Sequence, residues 1–262
     1  MNRIVQLFQK NPTHNLNVYF TAGFPQLNDT RRVLKALEEA GADLVEIGMP
    51  YSDPVADGET IQKSNEQSLE NGMSVKKLFE QLRGMRSEIT LPVLLMGYIN
   101  PVLQFGIENF CQQCAEVGVD GLILPDMPVD EYLAYYKPTF DKYGILNIFL
   151  ITPQTTEKRI RQIDESSEGF IYMVSSASVT GSQSGVSHDM EAYFARVNAM
   201  NLKNPRLIGF GIKDNETFNK ACEHASGAII GSAFIRVLQE STELEKDITS
   251  YVQGVKGASA LV

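Results

Sequence analysis

The 262-residue chain is short of cysteine, histidine and positive charge and has no long apolar run, and each shortage removes a class of function. Cys111, Cys114 and Cys222 are too few and too unevenly placed for a disulfide framework. Cys111 and Cys114 have redox spacing, but they lie in ENFCQQCAEVGV, a helical pattern without thioredoxin flanks, and read as structural thiols. His14, His188 and His224 are scattered, with no HExxH or other metal spacing, so no metal site is expected. With 23 Lys+Arg against 32 Asp+Glu the net charge is −9, which argues against nucleic acid and anionic membrane surfaces as partners. A small anionic substrate stays open, because backbone N–H groups at helix N-termini bind phosphate without net positive charge. No run reaches the length of a membrane span, and MNRIVQLFQKNPT lacks the apolar core of a signal peptide. A cytoplasmic location is therefore expected. In that stretch Ile4, Val5, Leu7 and Phe8 suit one face of a short amphipathic helix.

What the chain does have is a regular alternation. Eight short apolar runs, NVYFTA (17–22), DLVEIG (43–48), PVLLMG (92–97), GLILPD (121–126), NIFLIT (147–152), FIYMVS (170–175), RLIGFG (206–211) and GAIIGS (227–232), read as strands. Each is continuously apolar, as expected of parallel strands covered on both faces. Between them lie segments of helical period, such as DTRRVLKALEEAG, where Val33, Leu34, Leu37 and Ala40 keep one stripe and Gly41 supplies a stop. Length alone suggests two domains, but no linker or composition break divides the chain, and barrels use about 250 residues as one domain. A single (β/α)8 TIM-barrel domain over residues 1–262 is predicted, with an open doubly wound sheet as the alternative.

A barrel puts its chemistry in the loops after the strands. After the second strand, EIGMPYSDPVADGETIQ (46–62) is dense in Pro, Gly and Asp. Glu46 stands alone inside an apolar strand, facing either the barrel mouth or the helical layer, where burial raises its pKa. Asp57 precedes Gly58 and is either a second carboxylate over the mouth or an N-cap for the next helix. Two carboxylates in different surroundings let acid and base roles separate. Asp53, ahead of Pro54, reads as a turn or partner-facing residue. The Gly/Ser-rich stretch VSSASVTGSQSGVS (174–187) reads as a lid. Gly209 and Gly211 end the seventh run and Gly231 with Ser232 the eighth, where backbone amides and a helix N-terminus suit a phosphate. GFGIKD lacks the third glycine of a dinucleotide fingerprint, no strand end carries a Schiff-base lysine, and no G-x-S-x-G elbow occurs. Carboxylate acid/base chemistry on a small phosphorylated molecule remains.

The segment LVEIGMPYSDPVADGETIQ closely resembles the signature of the tryptophan synthase alpha chain family. YFTAGFP, MGYINPVLQFG, LPDMPVDE, VTG, GFGI and GSA match in order along nearly the whole chain. The resemblance implies a TIM barrel that cleaves indole-3-glycerol phosphate to indole and glyceraldehyde 3-phosphate. It implies that Glu46 shuttles protons between indole C3 and the glycerol hydroxyl, and that Asp57 holds the indole N–H. Tyr19, Tyr172, Phe210 and Thr180 match pocket and lid positions, and Gly181, Gly211, Gly231 and Ser232 match phosphate positions. Asp53, Pro54, Asn100 and Pro101 match loops that dock a beta chain in an alpha2beta2 complex, to which indole passes directly. The resemblance implies no cofactor in this chain; pyridoxal phosphate belongs to the beta partner. One departure is Ser176, where many members carry Arg. A related barrel that closes the indole ring would need strand-end lysines, and a purely activating subunit would not require both Glu46 and Asp57.

Overall fold

The computed structural model describes residues 1–174, 188–209 and 211–257. The described strands are β1 (Asn15–Thr21), β2 (Leu44–Gly48), β3 (Val93–Met96), β4 (Gly121–Ile123), β5 (Leu146–Ile148), β6 (Leu150–Ile151), β7 (Ile171–Val174), β8 (Arg206–Gly209) and β9 (Gly227–Ile230). They form one parallel row in the order β5-β4-β3-β2-β1-β9-β8-β7-β6. Its two ends are the halves of the predicted fifth strand, divided only by Phe149. One half pairs with β4 and the other with β7, and Tyr172 N–H donates to the Phe149 carbonyl at 3.0 Å. The row therefore closes on itself as an eight-stranded barrel, and the open-sheet alternative falls.

Burial on both faces explains the continuous apolar runs: all five residues of β2 are buried. Alternation sends Val45 and Ile47 to the helical layer with Val33 and Leu37, while Leu44 joins Leu94, Ile123, Ile148, Leu207 and Ile229 inside the barrel. The predicted runs overshoot the strands at their C-terminal ends. GLILPD stops pairing at Ile123, because Pro125 has no N–H for a ladder and Met127 N–H turns back to the Leu124 carbonyl at 3.0 Å. GAIIGS stops at Ile230, and its Ser232 opens the helix Ser232–Glu240.

The helix expected near the N-terminus runs from Arg3 to Lys10, capped by the Asn2 side chain on Ile4 N–H. It closes the barrel floor. Ile4 is fully buried against the interior set, and Phe8 packs on Phe170 with ring centroids 5.8 Å apart. Buried Asp120 ties this floor together by accepting from Arg86 at 2.6 Å, Arg3 at 2.9 Å and Val93 N–H at 2.9 Å. The helix Thr30–Ala40 buries the four stripe residues and ends as predicted. Gly41 sits at φ 95°, and Ala42 N–H returns to the Leu37 carbonyl at 3.0 Å. The floor is thus plugged at the N-terminal ends of the strands, and their C-terminal ends form the opposite end of the barrel.

Candidate active site

Glu46 follows from register. In β2, Leu44, Glu46 and Gly48 share the barrel-interior face, so the carboxyl enters the barrel rather than the helical layer. It is fully buried; Oε1 accepts a hydrogen bond from Asn17 Nδ2 of β1, and Oε2 is buried with no partner among the described residues. Burial pushes its pKa up to about 8, against a downward pull from Asn17. Tyr19 of β1 lies level with Glu46, and Tyr172 of β7 joins the interior set. Two glycines make room for these rings. A Cβ on Gly48 would meet the Tyr19 hydroxyl at 2.1 Å, and one on Gly209 would meet the Tyr172 ring at 2.3 Å.

Asp57 arrives from the loop after β2. Asp57 N–H donates to the Pro54 carbonyl at 3.1 Å in a tight turn. The helix Glu59–Glu70 has Gly58 at its cap position and no side-chain cap, so the N-cap reading of Asp57 is not realised. The buried carboxylate instead accepts from the Tyr98 hydroxyl at 3.2 Å, and that hydroxyl accepts from Ala56 N–H at 2.9 Å. Burial raises its pKa to about 6, opposed by the Tyr98 bond. A small cavity beside it is walled by Tyr19, Met96, Gly97, Tyr98 and Asn65, whose Oδ1 is buried without a partner among the described residues. At neutral pH the two environments hold Glu46 mainly protonated and Asp57 mainly ionised. A neutral acid of this kind can donate a proton, and an ionised one can stabilise positive charge.

Gly211, at φ 78°, and Gly231 follow the adjacent strands β8 and β9. The helix that begins at Ser232 has neither a side-chain cap nor an acidic residue in its first turn. A helix N-terminus of this kind, directly after β9, suits an anion through its leading N–H groups. Lys213 is spent differently: it precedes the helix Asn215–Cys222, with its N–H on Thr217 Oγ1 at 3.0 Å. Asp53 and Asn100 are exposed, and Pro54 and Pro101 are half-buried. Asn100 and Pro101 lie in the first turn of the helix Ile99–Phe105 rather than in a loop, and that turn meets the loop of Asp53 and Pro54 where Asn100 Nδ2 reaches the Tyr51 hydroxyl at 3.4 Å and the Tyr51 and Tyr98 rings lie 5.2 Å apart. Thr180, Gly181 and Phe210, with Ser176, lie outside the described residues. Among the described residues no cluster of His, Cys, Asp and Glu could hold a metal ion, and no helix is long and apolar enough to cross a membrane. Cys111, Cys114 and Cys222 are buried free thiols whose pKa values burial raises, which suits the structural reading. Sequence reasoning missed Asn17, Tyr98 and Asn65. Asn17 was detectable as a polar residue two positions before Tyr19, hence on the same strand face.

A closed barrel with two proton-tuned carboxylates and an uncapped helix N-terminus at its mouth defines a class: a TIM-barrel enzyme built for acid/base chemistry on a small phosphorylated substrate. The family model described as "Tryptophan synthase alpha chain" matches residues 5–259. The alpha chain of Christiangramia forsetii is 56% identical over 257 residues, covering 98% of this chain and 99% of the relative. That of Flavobacterium johnsoniae is 58% identical over 241 residues, covering 92% and 95%. Among solved structures, the alpha subunit from Legionella pneumophila superposes with a TM-score of 0.88 at 32% identity, covering 98% of both chains. An aminoacrylate-bound tryptophan synthase from M. tuberculosis gives 0.85 at 27% identity, covering 99% of this chain and 100% of that one. The chain belongs to the tryptophan synthase alpha chain family.

Proposed function

We propose that Glu46 and Asp57 carry out the retro-aldol cleavage of indole-3-glycerol phosphate to indole and D-glyceraldehyde 3-phosphate. As a member of its family the chain is a carbon–carbon lyase of tryptophan biosynthesis. The observation that carries the residue assignment is the pair of buried carboxyls at the barrel mouth, one raised to about 8 and the other to about 6. Protonated Glu46 gives its proton to indole C3, which turns the ring into an electron sink. Ionised Asp57 accepts the indole N–H and stabilises the positive charge that develops there. Glu46, now a carboxylate, takes the proton of the glycerol hydroxyl next to the scissile bond. The carbon–carbon bond breaks, its electron pair returns to the ring, and an aldehyde leaves. Neither a Schiff base nor a metal is required.

Gly211, Gly231 and Ser232 hold the phosphate through backbone amides, joined by Gly181; Tyr19, Tyr172, Phe210 and Thr180 line and close the pocket. The loop that carries Asp53 and Pro54 and the helix start that carries Asn100 and Pro101 dock a beta chain in an alpha2beta2 complex that receives the indole. Their meeting at Tyr51 and Tyr98 supports this, because Tyr98 bonds Asp57 directly. The docking surface thus lies one residue from the catalytic carboxylate. Pyridoxal phosphate belongs to that partner, residues 1–262 act as one catalytic domain, and the enzyme works in the cytoplasm. The test is release of indole and glyceraldehyde 3-phosphate from indole-3-glycerol phosphate by the purified chain. Failure to cleave, with or without a beta chain, contradicts the reading.

A further inference from the structure

On the interior face of β1, Asn15, Asn17, Tyr19 and Thr21 bring polar groups into a barrel otherwise lined by Leu44, Leu94, Ile123 and Ile148; Asn17 is fully buried, and its Oδ1 has no partner among the described residues. An unmet buried acceptor costs about 1–3 kcal/mol, so this side chain is not explained by packing. Its one bond runs from Nδ2 to Glu46 Oε1. An amide N–H donor occupies that oxygen as an acceptor, so the acid proton of neutral Glu46 sits on Oε2, which has no partner among the described residues. We propose that Asn17 is a positioning residue for the cleavage: it locks the Glu46 carboxyl against β1 and assigns the transferable proton to the free oxygen Oε2. This rests on Glu46 being the acid/base group.

Two consequences separate this role from simple satisfaction of a buried acid. The Asn17 bond favours the ionised carboxylate, so its loss raises the Glu46 pKa further. The other titratable groups around this part of the barrel are Tyr19 on β1, Asp57 in the loop after β2, Tyr98 after β3 and Tyr172 on β7. Burial raises the pKa of each of these tyrosines, so they stay neutral through the working range. Asp57 titrates below Glu46 and sets the opposite limb of any pH profile.

Asn17→Leu keeps the branched shape of the side chain and removes the donor. On the intact chain, with indole-3-glycerol phosphate as substrate, kcat is expected to fall about tenfold or more, the size expected for one lost bond to an ionisable group. KM is expected to stay within about twofold, and the alkaline limb of the rate profile to move up by about one pH unit. Asn17→Ser, smaller and still a donor, is expected to fall between wild type and Asn17→Leu. An alkaline limb that stays in place or moves down overturns the proposal, as does a wild-type kcat. It is also overturned if both variants fail to fold, since Asn17 is then structural. Wild type and Glu46→Gln run alongside keep the two readings apart. If Glu46→Gln stays active, the assignment of Glu46 itself has failed; if it is dead while Asn17→Leu behaves as wild type, only the role of Asn17 has.

Discussion

Two carboxylic acids share one barrel mouth, but burial acts on them unequally. Glu46, walled in by apolar strands, is neutral up to about pH 8; Asp57, on a loop and held by Tyr98, ionises above about pH 6. The first step of the proposed cleavage needs Glu46 protonated and Asp57 ionised. The rate kcat/KM is therefore expected to be bell-shaped, falling below about pH 6 as Asp57 gains a proton and above about pH 8 as Glu46 loses its own. A profile still rising above pH 9 contradicts the acid role of Glu46. Much of this was legible in the sequence, because a lone acid in LVEIG is costly wherever the strand is buried, and D-G after such a strand places a second one. What supports them was not. Asn17 and Tyr98 lie 29 and 41 residues from the carboxyls they bind, and only barrel closure and register bring them together.

At the scale of elements, strand-end glycines shape the mouth by leaving space as well as by turning. Gly48 and Gly209 lie on β2 and β8, beneath rings contributed by β1 and β7. A methyl group on Gly209 would stand 2.3 Å from the Tyr172 ring, so the ring must leave its position. Gly209→Ala is expected to lower kcat/KM about tenfold or more while the barrel stays folded. Its effect should be smaller than additive in a Tyr172→Leu background, where no ring remains to displace. Full additivity in steady-state kinetics would show that the glycine matters for another reason. From sequence Gly209 reads as a turn or phosphate residue and Gly48 only as the end of a strand run, because the tyrosines that need the space belong to neighbouring strands. The strand runs themselves were readable, since burial on both faces writes itself as continuous apolar sequence. Their ends were not, because the same apolar residues continue into the loops that wall the pocket.

For the whole molecule, a net charge of −9 argues against anionic surfaces as partners and is silent about phosphate, which the proposed site meets with backbone N–H groups. The floor is plugged, and the opposite end of the barrel also carries the surface proposed to dock a beta chain. Docking that orders the 51–58 loop fixes Tyr98 and Asp57 together, so a beta chain is expected to raise the rate of indole formation by about tenfold or more. Equal rates with and without it contradict that link. The most direct test of the central claim is indole release from indole-3-glycerol phosphate by wild type and Glu46→Gln, with phosphate-ligand binding measured in both. The account predicts that wild type cleaves the substrate, and that Glu46→Gln loses about 10²-fold or more in rate while still binding the ligand. Near wild-type cleavage by Glu46→Gln would contradict it.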